Sequence, residues 1–295
     1  MAELGLTPFV RATQQIYTLA RAKDLDGTSW KATKAAILEA ADALRTVTGQ
    51  TEAPIQLEPI LLYRNIYRTW FSSDSSPEAT LAPRRDGFTL RLRPGLSAAR
   101  SRFSQAHEVA HTFFYDIGKA PPEKLLHLSP RTKAYRKQED ICNAFASVLL
   151  LPGDLVRQFL LKCEAQGLSK WDISASLSTD FHVSMETAIR RLLSGFPMFE
   201  HSAAIFVDEV RESRSCRRWF GRALSSPRVA ELELLQSLGD AIANAPKGHL
   251  EEEIRRIAEP SKGTAEVKWK LVSSGSGSRF IAILLDFDIS RRLTK

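Results

Sequence analysis

One short run constrains the fold of this chain more than any other feature. Residues 107–111 read His-Glu-Val-Ala-His, inside a stretch from Ala98 to Tyr115 that contains neither proline nor glycine. Two histidines four residues apart project from the same face of an α-helix. At that spacing both imidazoles can bind one Zn²⁺ at about 2.0–2.1 Å each. The run therefore predicts a metal-binding helix with Glu108 beside the first ligand.

The neighbouring residues fit such a helix. Pro94-Gly95 indicates a turn, and Ser97 is a suitable N-cap residue. Residues 88–93 alternate apolar and polar side chains, which predicts a half-buried strand before the helix. A glutamate next to a metal ligand can take a proton from a metal-bound water. The pattern predicts a metallohydrolase, and a protease is the favoured kind.

A catalytic zinc site has three protein ligands, so a second helix should supply the third. Residues 136–151 have helical periodicity and stop before Pro152-Gly153. Glu139 lies on the same stripe of this helix as small and apolar side chains, and a buried carboxylate needs a partner. Asp140 is the rival and lies about 100° around the helix. Cys142, near the same stripe, is expected to be a buried structural thiol, with a thiolate ligand as the alternative.

These motifs resemble a known family. Residues 102–115 read Arg-Phe-Ser-Gln-Ala-His-Glu-Val-Ala-His-Thr-Phe-Phe-Tyr, and residues 139–152 read Glu-Asp-Ile-Cys-Asn-Ala-Phe-Ala-Ser-Val-Leu-Leu-Leu-Pro. Together they resemble the paired motifs of the ImmA/IrrE metallo-endopeptidases over about residues 55–195. Ser104 and Leu151 stand where threonine and methionine are common in the family, and both differences are conservative.

The resemblance implies a role for each matching residue. His107, His111 and Glu139 would bind one Zn²⁺ per chain, and Glu108 would be the catalytic glutamate. The family's activity is site-specific endoproteolysis, typically intracellular. Characterised members cleave a helix-turn-helix repressor and so relieve transcriptional repression after DNA damage or another stress.

The composition is that of an ordinary globular chain. Of its 295 residues 43% are hydrophobic and 25% charged, which suggests one or two domains. No apolar run reaches the ~18–20 residues of a membrane span, and the first residues lack the features of a secretory signal. Three scattered cysteines favour a reducing compartment, so a cytoplasmic location is expected. The net charge of +7 leaves nucleic acid or an acidic partner possible.

The predicted fold class is α+β, with a zincin-like peptidase domain and a smaller C-terminal α+β domain. The predicted division is N-terminal helices over 1–54, a zinc peptidase core over 55–152, a helix-turn-helix-like helical segment over 153–195, and a regulatory or sensor domain over 196–295. In the last part, strands are predicted at 203–210, 217–223, 265–272 and 279–287, and helices at 229–244 and 250–258.

Two segments suggest contacts with nucleic acid, each with a plainer alternative. The helix-turn-helix-like segment carries Arg190 and Arg191, but a packing role is favoured for it over DNA contact. The Arg-rich strand around Trp219 and Phe220 can bind nucleotide or single-stranded nucleic acid. Its plainer interpretation is a solvated basic strand at a sheet edge.

The sequence leaves the group that stabilises the oxyanion open among Tyr115, His127 and Tyr135. The function predicted is zinc-dependent, site-specific endoproteolysis. The expected substrate is a helix-turn-helix transcriptional repressor or a similar regulatory protein in a stress, DNA-damage or mobile-element response. The alternative is a non-proteolytic regulator that acts by binding DNA or protein.

Overall fold

A computed structural model describes residues 3–21, 27–70, 77–199, 202–211, 217–225, 265–273 and 279–287. The chain divides into two compact units, one of residues 1–162 with 179–183 and one of residues 163–178 with 184–295. Each unit combines helices with a small sheet, so the mixed fold class is confirmed. The finer division into four parts stays a prediction.

The first unit contains five complete helices among its described residues and the start of a sixth. They are α1 (Glu3–Arg21), α2 (Gly27–Val47), α3 (Leu57–Tyr63), α4 (Ala98–His111), α5 (Lys133–Leu150) and α6 (Gly153–Ala165). The two N-terminal helices predicted from periodicity are confirmed, and they pack against each other through Ile16, Leu19, Ile37 and Leu44, all fully buried. Short α3 was not predicted.

A three-stranded sheet lies against α4. Its strands are β1 (Ile66–Trp70), β2 (Ala79–Arg84) and β3 (Gly87–Leu92), in the order β1-β3-β2. Strand β3 is parallel to β1 and antiparallel to β2. Phe88, Leu90 and Leu92 alternate with more exposed residues and are buried, as the predicted period of two requires. Strands β2 and β3 form a hairpin, and residues 71–76, which precede it, lie outside the described part of the chain.

Gly87 allows β1 and β3 to approach at the start of their pairing. Its φ is +145°, and a Cβ atom there would lie 2.2 Å from the backbone oxygen of Asn65. That oxygen accepts a 2.9 Å hydrogen bond from the Phe88 N–H. A side chain at position 87 would therefore disrupt the contact that sets the register of the sheet.

Helix α4 is stabilised at both ends. The Ser97 side chain accepts from the Arg100 N–H, as the sequence predicts for an N-cap. The helix ends at His111 and continues as a 3₁₀ turn over Thr112–Phe114, before the end of the stretch that lacks proline and glycine. Arg64 fixes this end, because its Nε and Nη2 donate to the Thr112 hydroxyl at 3.0 and 2.7 Å. Burial lowers the pKa of Arg64 to about 10.

Helix α5 packs directly against α4. It begins earlier than predicted, with the Thr132 side chain accepting from the Tyr135 N–H. Its buried face consists of Ile141, Cys142, Phe145, Ala146, Leu149 and Leu150. Between α4 and α5 the short strands β4 (Tyr115–Asp116) and β5 (Glu123–Lys124) form a small antiparallel pair.

The second unit contains most of α7 (Lys170–Asp180), all of α8 (Met185–Gly195) and an antiparallel sheet. The sheet consists of β6 (Ser202–Arg211), β7 (Arg217–Ser225), β8 (Ala265–Ser273) and β9 (Arg279–Phe287) in the order β7-β6-β9-β8. All four strands predicted for this region are confirmed. The predicted helices at 229–244 and 250–258 lie outside the described residues.

The two regions predicted as possible nucleic-acid contacts have the following structure. Strand β7, the Arg-rich strand, lies at an edge of its sheet among the described strands. On α8, Arg190 pairs with Glu186 at 2.8 Å, and the Arg191 guanidinium lies 5.4 Å from the centre of the Phe196 ring. Contact with nucleic acid at either place stays a prediction.

Within the described residues, no single helix combines the length and apolarity needed to cross a membrane. The pair α5 and α6, bent by 54° at their junction, meets the criterion only when taken together.

Candidate metal centre

The three residues predicted as metal ligands meet in one place. The Nε2 atoms of His107 and His111 are 3.0 Å apart. Glu139 approaches both, with its Oε2 3.2 Å from Nε2 of His107 and its Oε1 3.6 Å from Nε2 of His111. Asp140, the rival for the third position, is exposed. The packing of α4 on α5 thus brings Glu139 to the two histidines, which precede it by 28 and 32 positions in the sequence.

The donor set fits a zinc ion in chemistry and in size. Two imidazoles and a carboxylate are a common ligand set of catalytic zinc. In a tetrahedral site with bonds of about 2.0–2.1 Å, neighbouring ligand atoms lie about 3.3 Å apart. The observed separations of 3.0, 3.2 and 3.6 Å bracket that value. His107, His111 and Glu139 would hold the ion.

The ionisation of the three groups is compatible with metal binding. Burial lowers the pKa of His111 to about 4, so the ring is neutral near pH 7. Burial alone would raise the pKa of Glu139, but its hydrogen bond with His107 and the charges of both imidazoles lower it overall. Burial alone would lower the pKa of His107, but its hydrogen bond with Glu139, the charges of Glu108 and Glu139 and its hydrogen bond with Asn143 together raise it. A metal would take the place of the proton that His107 shares with Glu139.

Glu108 lies beside this group and is only 9% exposed. Burial raises the pKa of its carboxyl to about 7, with a further increase from Glu139, while His107 and the backbone N–H of Leu81 act in the opposite direction. A carboxylate with this proton affinity can serve as a base near neutral pH. The charge of a bound cation would lower the pKa again.

Cys142 is a second possible donor on α5. Its sulfur and the ring nitrogens of His107 and His111 all lie within 4.8 Å of one another. The thiol is fully buried, and burial raises its pKa well above the ordinary value. The carboxylate of Glu139 lies within 3.6 Å of both histidines and its pKa is lowered, whereas that of the Cys142 thiol is raised, so Glu139 is favoured as the charged ligand. The expected burial of Cys142 is confirmed.

Three polar side chains of α5 contact the candidate ligands, and the sequence analysis did not assign them this role. Asn143 Oδ1 lies 2.9 Å from Nδ1 of His107, and Gln138 Nε2 lies 3.1 Å from Nδ1 of His111. The Tyr135 hydroxyl hydrogen-bonds to Glu139, which helps to lower the pKa of that carboxyl. The signal was present in the spacing, since residues 135, 139 and 143 repeat every four positions on one helix face.

The candidate metal centre lies in a cleft of about 490 Å³. Of the three residues considered for oxyanion stabilisation, Tyr115 and Tyr135 line this cleft, whereas His127 is exposed and is not part of the lining. Apolar side chains form much of the wall: Pro77, Ala79, Leu81, Phe103, Phe114, Leu126 and Leu128. Lys124 is the one cation of the described lining.

Strand β2 forms one rim of the cleft and is an edge strand among the described strands. The Arg93 N–H donates to the backbone carbonyl oxygen of Glu78. In the antiparallel register of β2 and β3, this bond determines which β2 residues are hydrogen-bonded to β3. Residues 80, 82 and 84 therefore direct their backbone groups at β3, and residues 79, 81 and 83 direct theirs away from it. The open edge of β2 thus offers backbone hydrogen bonds from Ala79 to Pro83, although Pro83 has no N–H.

Comparison with known proteins agrees with this site. Residues 71–193 match the family model described as the IrrE N-terminal-like domain, a peptidase family, and the match includes both helices that carry the candidate ligands. The class of protein that these residues define is a metallopeptidase. The match covers less than half of the chain and supports an ImmA/IrrE family metallopeptidase domain at these residues. Comparison with curated proteins gives no match.

Proposed function

We propose that this protein is a zinc-dependent endopeptidase that cuts a regulatory protein at a specific site. The observation that carries the proposal is the convergence of His107, His111 and Glu139 within 3.6 Å, beside the buried carboxylate of Glu108. The family match independently supports peptide-bond hydrolysis. Zinc is the proposed metal because two imidazoles and a carboxylate are typical zinc ligands.

The division of chemical work follows from the positions of the residues. A bound Zn²⁺ supplies Lewis acidity, which polarises the scissile carbonyl and makes water a better acid. Glu108 accepts the proton of the attacking water and passes it to the leaving amine nitrogen. Tyr115 and Tyr135 both line the cleft and are the candidates to donate a hydrogen bond to the carbonyl oxygen as its negative charge develops.

The substrate segment is proposed to bind in an extended conformation along β2. The N–H and C=O of Ala79 and the C=O of Leu81 face the open edge and can pair with an added strand, while the Leu81 N–H is engaged by Glu108. The apolar lining beyond them suits hydrophobic side chains on either side of the scissile bond. An extended segment implies that the cut lies in a loop, a linker or a locally unfolded part of the substrate.

For the identity of the substrate we propose a helix-turn-helix transcriptional repressor, or a related regulator, that responds to stress, DNA damage or a mobile element. This part of the proposal rests on resemblance to characterised members of the family. A cytoplasmic setting is proposed because the three cysteines of the sequence are widely spread, which favours a reducing compartment.

The decisive experiment compares Glu108→Gln with the wild type, using the full-length chain and repressors encoded near its gene. The variant keeps the size of the side chain and removes the base. We expect it to retain about one equivalent of zinc, while kcat falls on the order of 10²-fold or more. Glu52→Gln, at an exposed glutamate outside the cleft lining, is the matched control and should behave as wild type.

The alternative function, a non-proteolytic regulator, gives a different outcome. If Glu108→Gln relieved repression in cells as well as the wild type did, proteolysis would not be the output. A wild-type protein without bound metal after purification in the presence of zinc would contradict the metal assignment itself.

A further inference from the structure

Helix α5 places one amide side chain on each of the two histidines. Asn143 meets Nδ1 of His107 at 2.9 Å, and Gln138 meets Nδ1 of His111 at 3.1 Å. Glu139, the proposed third ligand, lies between them in the sequence. The ring nitrogens that face away from the proposed metal are thus both hydrogen-bonded by the helix that supplies the carboxylate.

The atom that Asn143 presents determines the tautomer of His107. Asn143 Oδ1 can only accept a hydrogen bond, so Nδ1 of His107 carries the hydrogen. In the neutral ring, Nε2 then has its lone pair free, and this is the atom nearest Glu139 and His111. Asn143 therefore holds His107 in the form that binds a metal through Nε2.

Gln138 contacts the other imidazole through the same kind of group. One end of its side-chain amide lies 3.1 Å from Nδ1 of His111. The amide can present either its N–H or its oxygen to that nitrogen, because rotation about one bond exchanges the two ends. A metal bound through Nε2 of His111 requires the ring hydrogen to be on Nδ1, and the Gln138 oxygen is then the acceptor for it.

We propose that Asn143 and Gln138 are positioning residues at the metal centre, each accepting the Nδ1 hydrogen of one imidazole and so leaving Nε2 of that ring free to bind the ion. The proposal rests on the metal site proposed above and goes beyond it. It predicts that a substitution at either position preserves metal binding only where the new side chain still presents an acceptor to Nδ1.

Metal affinity of the full-length chain, measured by competition with a chromophoric zinc chelator, tests the proposal. Asn143→Ala should weaken zinc binding by roughly 10–100-fold, the usual effect of losing the partner of a ligating histidine. Asn143→Asp keeps an acceptor and should restore binding. Gln138→Glu presents only acceptors and should bind zinc at least as tightly as the wild type. Asp140→Ala, at an exposed residue of the same helix, should leave affinity unchanged.

A second measurement separates this proposal from the proposed function. In the metal-free protein, ¹⁵N imidazole spectra at a pH where the rings are neutral should show His107 with its hydrogen on Nδ1. Asn143→Ala should shift that tautomer and Asp140→Ala should not. These results would stand even if no substrate were cleaved.

Either of two results would overturn the proposal. One is a wild-type His107 with its hydrogen on Nε2, and the other is an Asn143→Ala variant that is folded by circular dichroism and has wild-type zinc affinity. Should the alanine variant fail to fold, Asn143→Leu preserves the volume of the side chain, removes the acceptor, and is judged by the same two measurements.

Discussion

Replacing Gly87 by alanine should destabilise the protein far more than the same change at Gly95. Both glycines have positive φ, +145° at Gly87 and +79° at Gly95. They differ in their surroundings, because a Cβ at Gly95 would have no atom within 4 Å, whereas one at Gly87 would lie 2.2 Å from the Asn65 oxygen and 2.7 Å from the Asn65 Cβ. Gly95→Ala therefore measures backbone strain alone.

The expected magnitudes follow from these contacts. Alanine in the left-handed region costs about 1–2 kcal/mol, which is the whole expected effect at Gly95. At Gly87 the backbone conformation costs about 1–3 kcal/mol, and overpacking against a neighbouring backbone adds about 1–3 kcal/mol. Moving the Asn65 carbonyl to relieve the clash weakens its hydrogen bond from Phe88, worth about 1 kcal/mol. The free energy of unfolding should thus fall by about 3–7 kcal/mol in Gly87→Ala.

Urea unfolding followed by circular dichroism, at fixed zinc concentration, measures both variants against the wild type. The two losses in unfolding free energy should differ by at least about 1 kcal/mol, or roughly 2–4 °C in Tm for a unit of this size. Equal losses at the two positions would show that the β1–β3 contact does not constrain residue 87, and would refute the account of how this sheet is joined.

Three further outcomes are expected. Glu139→Ala should weaken zinc binding on the order of 10²-fold or more. The reason is that a binding free energy of about 10–16 kcal/mol is distributed over a few ligands, of which Glu139 is one. Equal zinc affinity of Glu139→Ala and Asp140→Ala in a chelator titration would contradict the assignment of Glu139 as a ligand. Cys142→Ser should change zinc affinity by less than about threefold if the thiol is not a ligand, and a loss as large as that of Glu139→Ala would make Cys142 the third ligand. Ser184→Ala should lower the unfolding free energy by about 1 kcal/mol in denaturant titration, because the Ser184 side chain accepts from the Thr187 N–H at the start of α8, and an unchanged midpoint would show that this cap contributes nothing.

Local patterns in the sequence were sufficient to predict α4 and α5. Both helices have apolar faces of helical period, and α4 has a capping serine at the predicted position. The end of α4 at His111 was not predicted, because the interaction of Arg64 with Thr112 at the helix end joins residues 48 positions apart. No local pattern reveals a contact of that range.

The same distinction applies to the candidate site. His107 and His111 are adjacent on one helix, so their spacing alone predicts that they share a metal. The prediction of Glu139 as the third ligand depended on which face of its helix it occupies. The structure places its carboxylate within 3.6 Å of both imidazoles. The partners of Nδ1 were missed because Asn143 reads from the sequence as a small residue on an apolar stripe, and only the packing of the two helices shows which atom it meets.

The three-stranded sheet beside the cleft was only partly predicted from the sequence. Strand β1 joins the sheet by parallel pairing with β3, and its residues are mostly exposed, so the alternation that reveals β3 is absent. Predicting a strand from sequence depends on one buried face, and an exposed edge strand lacks that signal.

Pro83 on the open edge of β2 has a consequence for the solubility of the protein. An edge strand with free N–H and C=O groups can pair with the same strand of another molecule and so start aggregation. Within β2, Leu81 already directs its N–H at the Glu108 carboxylate, and Pro83 has none to offer. Two copies of the protein therefore cannot form a continuous hydrogen-bonded ladder along this edge. A strand left open at the rim of the cleft is thus protected against self-association by its own sequence.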